Sequence, residues 1–303
     1  AISDMVASGN ALFVSDSRSR VLRLNMADTA ATNVLRDPMP ADAIPATQGT
    51  QNIWEAALVA GANSTDPDLD VAFGQDDFTT FEVSRGLSNG LYSAQGLQSP
   101  VSIALDAVGG RWAVDNTGGT TSRILRYADA GSTLDSVADS VLGQPNFQLV
   151  FPNSIEGTGF GSAVDVAVDW RTETVYVADA TANRVLQFDT IAMSAGAEAS
   201  RAIGQGNLLD YRENRGLTSI DGLSLSTPGR VFVDPGTGDL FVRDDGNSRV
   251  LRFTDPASNA TLLAGVAFGS GSLTAAGQIF GDGAVAFSGS RVYVASKGAT
   301  VIE

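Results

Sequence analysis

Short apolar runs separated by small polar turns recur five times along the chain. Each copy has an apolar run that ends in Val-x-Asp or a close variant, then a polar turn, then an Arg and a second apolar run. The copies are LFVSDSRSRVLRL (12–24), RWAVDNTGGTTSRILRY (111–127), VYVADATANRVLQFD (175–189), LFVRDDGNSRVLRF (240–253) and RVYVASKGATVIE (291–303). In the last copy Ser296 replaces the Asp and the Arg is missing. Two apolar runs around a short polar turn predict a β-hairpin.

Each predicted hairpin has a further apolar run before it, and most have another after it. The preceding runs lie at residues 4–9, 102–110, 165–173, 230–239 and 284–290. The following runs lie at residues 71–78, 141–147, 202–208 and 266–273. One repeat unit is therefore predicted to be four short β-strands joined by turns of Gly, Asp and Asn, with a spacing in the range of propeller blades.

A single four-stranded sheet of this kind has two apolar faces and can bury neither of them alone. Arranged radially around an axis, each sheet covers a face of its neighbour, and the ring protects the sheet edges. We therefore predict an all-β fold for residues 1–303, a single β-propeller of four-stranded antiparallel blades. Five blades are legible, or six if residues 25–70 or a missing segment supplies one. The apolar residues lack the 3.6-residue period of an α-solenoid, and a β-sandwich would not repeat its sequence in this way.

Residues 25–70 separate the third and fourth predicted strands of the first unit. This stretch has four prolines and no Val-x-Asp hairpin, so we expect a long insertion within the first blade rather than a hidden blade. The fifth unit has no visible outer strand after its third strand. We expect that blade to be completed by another segment or by another chain.

Composition narrows the chemistry that the chain can perform. The 19 Lys and Arg against 34 Asp and Glu give a formal net charge of −15. Nucleic-acid binding is not expected, because it requires a basic face. Such a face would have to be formed by Arg18, Arg20, Arg23 and Arg249. The sequence has no His and no Cys, which excludes disulfides, zinc sites built on those residues and His-based triads. No apolar run is long enough to span a membrane.

The repeat unit resembles the NHL repeat in its bacterial form, which carries a Gly-Gln-Pro-x-Phe element. The matching residues are Val177-Ala178-Asp179, Asn183-Arg184-Val185-Leu186 and Gly143-Gln144-Pro145-Asn146-Phe147. The resemblance covers nearly the whole chain outside residues 25–70, with the fifth repeat degraded. It implies a propeller, commonly six-bladed, and a scaffold more than an activity.

Two sets of polar residues recur at equivalent positions and are interpreted as structural. The first set pairs an Asp with an Arg across each hairpin: Asp16/Arg20, Asp115/Arg123, Asp179/Arg184 and Asp244/Arg249. A ring of charged ligand sites is the alternative, but a bidentate brace that caps each turn explains the repetition better. The second set is Gly74-Gln75, Gly143-Gln144 and Gly204-Gln205. There Gly allows a bend, and we expect the Gln amide to satisfy a backbone group rather than bind a sugar.

The innermost strands of a propeller line its central channel, where ligands bind. Aligning the repeats places Asp4, Ser102, Asp165, Arg230 and Ala284 in one column. Four residues later the column is Ser8, Asp106, Asp169, Asp234 and Ser288. The second column is uniformly small and polar, as a turn requires, whereas the first mixes charges of both signs from blade to blade. We therefore predict ligand binding at the channel mouth by Asp4, Ser102, Asp165 and Arg230, against the alternative of scattered residues in a water-lined channel.

No cofactor or resident metal is predicted. Asp66, Asp68 and Asp70 alternate as calcium ligands do, but Val71 stands where an EF-hand needs Gly, so Ca²⁺ is only a weak candidate here. Asp165 and Asp169 are the nearest carboxylates for glycoside hydrolysis, but strand rise places them about 13 Å apart, too far for either standard mechanism.

These observations favour a non-catalytic binding or scaffold propeller, exported, periplasmic or at the cell surface. One propeller face would engage a protein, a glycan or further copies of the chain, as a homo-oligomer or filament. The alternative is a carboxylate-dependent hydrolase or lyase, with or without Ca²⁺. Two carboxylates within about 10 Å in a concave pocket would favour that alternative.

Overall fold

The computed structural model describes about two thirds of the chain, and its regular secondary structure is almost entirely β-strand. The residues described are 2–8, 11–16, 20–25, 69–75, 92–117, 121–128, 137–149, 155–269, 272–276, 285–288, 291–296 and 300–302. They form nineteen strands and two short 3-10 turns, at Glu213–Gly216 and Asp245–Asn247, with no α-helix among them. In this part of the chain no helix is long and apolar enough to cross a membrane.

Four sheets have four antiparallel strands each, in the order in which the strands follow along the chain. The first sheet is β1 (Ile2–Ser8), β2 (Ala11–Asp16), β3 (Arg20–Asn25) and β4 (Leu69–Phe73). The second is β5 (Pro100–Leu105), β6 (Arg111–Asn116), β7 (Ser122–Tyr127) and β8 (Ser140–Leu142). The third is β9 (Ala163–Asp169), β10 (Thr174–Asp179), β11 (Arg184–Phe188) and β12 (Arg201–Ile203). The fourth is β13 (Pro228–Val233), β14 (Leu240–Asp244), β15 (Arg249–Phe253) and β16 (Val266–Phe268).

A fifth sheet has three described strands, β17 (Val285–Ser288), β18 (Arg291–Ser296) and β19 (Thr300–Ile302). The first strands of successive sheets are neighbours, since β1 contacts β5, β5 contacts β9 and β9 contacts β13. The first four sheets are therefore blades with their first strands innermost. The prediction of an all-β propeller built from four-stranded antiparallel blades is confirmed.

Three apolar layers lie between successive blades, and alternate residues of one strand enter different layers. In β10, Val175 and Val177 belong to the layer shared with the second blade, whereas Tyr176 and Ala178 belong to the layer shared with the fourth. A third layer joins the first and second blades through residues such as Phe73 and Leu125. Each fully buried aliphatic or aromatic side chain contributes about 1.5–3 kcal/mol, so these layers hold the blades against one another.

The predicted insertion at residues 25–70 coincides with the connection from β3 to β4. These two strands pair antiparallel, with Val21 opposite Phe73. The residues between them, 26–68, lie outside the described residues, so the insertion stays a prediction. Two of the weak calcium candidates, Asp66 and Asp68, lie in that stretch, and Asp70 lies in β4.

Candidate functional site at the channel mouth

A β-bulge interrupts the start of each of the first four inner strands. In β5, Pro100 pairs with Asp115 and Ser102 pairs with Val114, which leaves Val101 without a partner. The same shift occurs in β1, β9 and β13. The residues directly after the four bulges are Asp4, Ser102, Asp165 and Arg230. Because a bulge re-aims the side chains that follow it, it directs all four predicted residues to one place.

Arg230 lies at the centre of this group. Its Nη1 lies 3.4 Å from Oδ1 of Asp165 and 3.6 Å from Oδ2 of Asp4. The hydroxyl of Ser102 donates a hydrogen bond to Oδ1 of Asp165. The structure thus brings together all four residues of the predicted set, which come from four different blades.

The two carboxylates also fasten neighbouring inner strands to each other. Oδ2 of Asp4 accepts a hydrogen bond from the backbone N–H of Ile103 at 3.0 Å, which joins the first blade to the second. Oδ2 of Asp165 accepts one from the backbone N–H of Val231 at 2.8 Å, which joins the third blade to the fourth. The same side chains therefore supply charge and hold the ring together.

A cavity of about 730 Å³ lies along the inner strands, and Asp4, Asp165 and Arg230 are among its lining residues. Its walls are largely apolar and include Ile103, Leu105, Val166, Val168, Val231 and Val233. Trp170 and Met5 also line it, and each is about half exposed. A cavity of this size with apolar walls and a few converging polar groups is typical of a ligand site.

The carboxyl group of Asp165 has a raised pKa. Burial disfavours its charged form and raises its pKa to about 6, and the nearby carboxylate of Asp4 acts in the same direction. Arg230 and the hydrogen bonds from Ser102 and Val231 oppose this rise without cancelling it. Asp165 consequently exchanges its proton near neutral pH, unlike an ordinary aspartate.

The structure also contains a carboxylate pair that the sequence did not reveal. Asp4 and Asp165 both contact Nη1 of Arg230, so the contacting oxygens lie within about 7 Å of each other. The pair considered from the sequence, Asp165 and Asp169, does not meet in this way, because Asp169 accepts a hydrogen bond from the backbone N–H of Arg171 within the turn. Along the described part of the chain, no cluster of three His, Cys, Asp or Glu could hold a metal ion.

The repeated Asp and Arg residues lie at the hairpin that joins the second strand of each blade to the third. Nε of the Arg lies 3.0 Å from Oδ2 of the Asp in the second blade, 2.9 Å in the third and 2.8 Å in the fourth. The Asp and the Arg therefore form an ion pair across each of these hairpins, but the pair is not bidentate. Only Nε contacts the carboxylate, whose other oxygen accepts from the backbone of the loop before the inner strand, as Ser162 N–H donates to Asp179.

The remaining guanidinium N–H groups explain this geometry. In the third blade Arg184 donates to the backbone oxygens of Glu156 and Gly159, before β9, and of Leu208, after β12. Arg123 and Arg249 make equivalent contacts in their own blades. Each Arg therefore joins the loop that enters a blade to the loop that leaves it. Arg20 of the first blade is also buried, and it lies opposite Asp16 in the antiparallel pairing of β2 with β3.

The Gly-Gln elements are structural in the described blades. Gly143 has φ +81°, and a Cβ there would lie 2.3 Å from the ring of Phe160 in the loop to the next blade. Gly74 and Gly204 also have positive φ, and a Cβ would lie 2.8 Å from Leu97 at the first and 2.6 Å from Leu225 at the second. Gln205 donates to the backbone oxygens of Asn183 and Arg212. These elements therefore let each blade pack closely against the loop that leads to the next blade.

The second inner-strand column forms turns, as its composition predicts. Asp106 accepts from the backbone of Val108 and Gly110, and Asp234 accepts from Gly236 and Thr237. These carboxylates are therefore held within their own turns.

Comparison with known proteins agrees with the fold and adds no family. No family model matches the chain, and no curated protein matches it. Among solved structures it is similar to the RRP9 WD40 repeats (7% identity, 86% of this chain and 49% of that one, TM-score 0.44) and to U3-55K (7%, 86% and 50%, 0.42). It is also similar to hydrazine synthase of Kuenenia stuttgartiensis (10%, 97% and 55%, 0.51). This chain spans about half the length of each, and the likeness concerns the fold alone.

Proposed function

We propose that this propeller is a non-catalytic binding or scaffold module that engages a protein, a glycan or its own copies through the face that bears Asp4, Ser102, Asp165 and Arg230. The observation that carries the proposal is the convergence of these side chains, which differ from blade to blade, beside an apolar cavity of about 730 Å³. A repeat scaffold needs equivalent residues at equivalent positions, as in its Asp/Arg pairs. Variation at one column, together with a cavity, is what recognition of an asymmetric ligand requires.

Peptide and glycan arrays probed with the purified protein test this proposal. The informative variant is Arg230→Glu, which reverses the central charge of the mouth. Arg212→Glu is the matched control, because it makes the same charge change at an exposed loop residue. We expect the array signals to change in Arg230→Glu and to be retained in Arg212→Glu. Equal signals from both variants would contradict binding through this face.

Self-association is part of the same proposal. Among the described strands, β19 pairs only with β18, whereas the third strand of every other blade also pairs with a fourth strand. An open strand edge is a template for strand addition, by a further segment or by another copy. Sedimentation velocity over a range of concentrations tests this, and a strict monomer throughout would remove self-association from the proposal.

Export or display at the cell surface, and membership of the NHL-repeat family, belong to the proposal as well. The repeat pattern and the absence of Cys support them. Fractionation of the source cells with an antibody against the propeller tests the location, and recovery only from the cytoplasm would contradict it.

A carboxylate-dependent hydrolase is the second candidate, favoured by the pair Asp4 and Asp165. Their separation of about 7 Å or less overlaps the spacing in glycosidases, and the pKa of about 6 suits Asp165 to donate a proton. Against this, Nη1 of Arg230 contacts both carboxylates, and three of their four oxygens already accept hydrogen bonds. Chromogenic glycosides decide between the two: turnover that Asp165→Asn abolishes would establish the enzyme, with and without added Ca²⁺.

A further inference from the structure

One acceptor at the channel mouth remains open to a ligand. Both oxygens of Asp165 are engaged, by Ser102 and by the backbone of Val231. Asp4 differs, because Ile103 and Arg230 both contact its Oδ2, and its Oδ1 has no partner among the described residues. The side chain of Asp4 is 24% exposed and is part of the cavity lining. A ligand donor would therefore meet Oδ1 of Asp4 first.

The charge at the mouth is also unbalanced. Two carboxylates face the single guanidinium of Arg230, which contacts both of them through Nη1. The other cationic side chain along the cavity, Arg243, forms its own pair with Asp245 at 2.5 Å. The chain as a whole carries a formal net charge of −15. Both the local and the overall field therefore favour a positively charged ligand group.

Resting on the proposed binding function, we infer that the mouth receives a lysine side chain of a partner polypeptide. Its ammonium group would bind Oδ1 of Asp4, and its methylene stem would lie against apolar walls such as Ile103 and Val231. Exposed apolar side chains beside the cavity, Met5 and Trp170, provide contact area for the backbone that carries the lysine.

The geometry distinguishes lysine from arginine. A guanidinium group binds a carboxylate best when its planar fork meets both oxygens, and Asp4 has one of them already committed. An ammonium group is a compact point charge that needs a single acceptor. The site should therefore prefer lysine to arginine and both to an uncharged residue of the same length.

Three acetylated and amidated pentapeptides test this, with the sequence Gly-Gly-X-Gly-Gly and X as lysine, arginine or norleucine. Affinity is measured by nuclear magnetic resonance titration, with the shifts of Ile103 and Val231 N–H reporting the mouth. We expect lysine to bind about fivefold more tightly than norleucine, the scale of one partly exposed ion pair, and more tightly than arginine. Asp4→Asn, whose amide oxygen can still accept from Ile103, should reduce lysine binding to the norleucine level. The charge-matched control Asp210→Asn, at an exposed loop residue, should not.

The outcomes separate this inference from the proposed function. Equal binding of all three peptides at the mouth would overturn the lysine preference and leave the binding function in place. Equal losses in Asp4→Asn and Asp210→Asn would show attraction to overall charge and would also overturn it. The lysine preference would also be overturned if no peptide shifted the Ile103 and Val231 N–H signals while other array ligands still depended on Arg230. If those array ligands are also independent of Arg230, the binding function fails with it.

Discussion

The buried Asp179–Arg184 pair of the third blade makes the sharpest prediction about stability. Both side chains are fully buried, and Nε of Arg184 lies 2.9 Å from Oδ2 of Asp179. The other guanidinium N–H groups donate to backbone oxygens in the loops before β9 and after β12. We consider Arg184→Met, which keeps a long apolar stem but removes the charge and all of these donors.

The expected cost follows from what the substitution leaves behind. Asp179 would keep one backbone donor, Ser162 N–H, and would otherwise be an uncompensated buried carboxylate. Breaking a buried pair by removing one partner costs about 3–5 kcal/mol. The backbone oxygens that lose their donor act in the same direction. This is a large part of the total stability of about 5–15 kcal/mol that proteins of ordinary stability have.

Urea unfolding followed by far-ultraviolet circular dichroism measures this cost. The control is Arg215→Met, which removes an arginine whose Nη1 lies 4.0 Å from Oδ2 of Asp221, with both side chains about a third exposed. That exposed pair should contribute less than about 1 kcal/mol. The double variant Asp179→Asn/Arg184→Met should be less destabilised than the sum of the two single variants, because the carboxylate is no longer left unpaired.

If Arg184→Met loses no more stability than Arg215→Met, the reasoning about the repeated arginines is refuted. The same holds if the double variant shows no coupling between the two positions. In either case the Asp/Arg pairs would be incidental to the junctions between loops and blades.

Three further predictions concern the mouth and the blade junctions. Because the folded pKa of Asp165 is raised from 3.8 to about 6, its carboxyl favours the folded state while protonated, and this contribution is lost as pH rises from about 4 to 6. Between pH 4 and 7 the wild type should thus lose about 2 kcal/mol of unfolding free energy relative to Asp165→Asn, measured by urea unfolding. Parallel pH profiles of the two proteins would contradict the assignment. The charged groups that face Asp165 are Arg230 and Asp4. As pH falls through 6, Asp165 takes up a proton and the mouth loses one negative charge, so the affinity for the lysine peptide should weaken. Peptide titrations at pH 5 and pH 7 measure this change. Gly143→Ala should destabilise the fold by more than about 1 kcal/mol, because Gly143 has φ +81° and the new Cβ would meet the ring of Phe160. Gly236→Ala is the control and should destabilise the fold less, because Gly236 has an ordinary backbone conformation. Thermal unfolding of the two variants measures the difference.

Much of the architecture could be predicted from the sequence because the repeats set the phase of every strand. The same alignment placed Asp4, Ser102, Asp165 and Arg230 in one column, and the structure brings their side chains together. The bulges that aim them were not predictable, since one extra residue in a strand leaves the apolar pattern readable in either register.

The carboxylate pair was missed for a different reason. Asp4 and Asp165 are far apart in sequence and in different blades, so only the three-dimensional structure shows that both contact one guanidinium group. The contacts of Arg184 were also hidden, because its partners are backbone oxygens in two loops, which leave no mark on residue types. A bidentate pair with Asp179 was the simplest expectation from side chains alone.

The central claim is that inner strands from different blades meet at one channel mouth. Because the sequence has no cysteine, two introduced cysteines would be the only thiols in the protein. In Asp4→Cys/Arg230→Cys, the two positions belong to the first and fourth blades and contact each other in the structure. A short bis-maleimide should crosslink them in the folded monomer and produce a faster band on a denaturing gel. The control is Asp4→Cys/Asp234→Cys, whose second thiol lies in the turn beyond the other end of β13. The same reagent should not crosslink this pair. Absence of the first crosslink, or equal crosslinking of both pairs, would contradict the shared mouth.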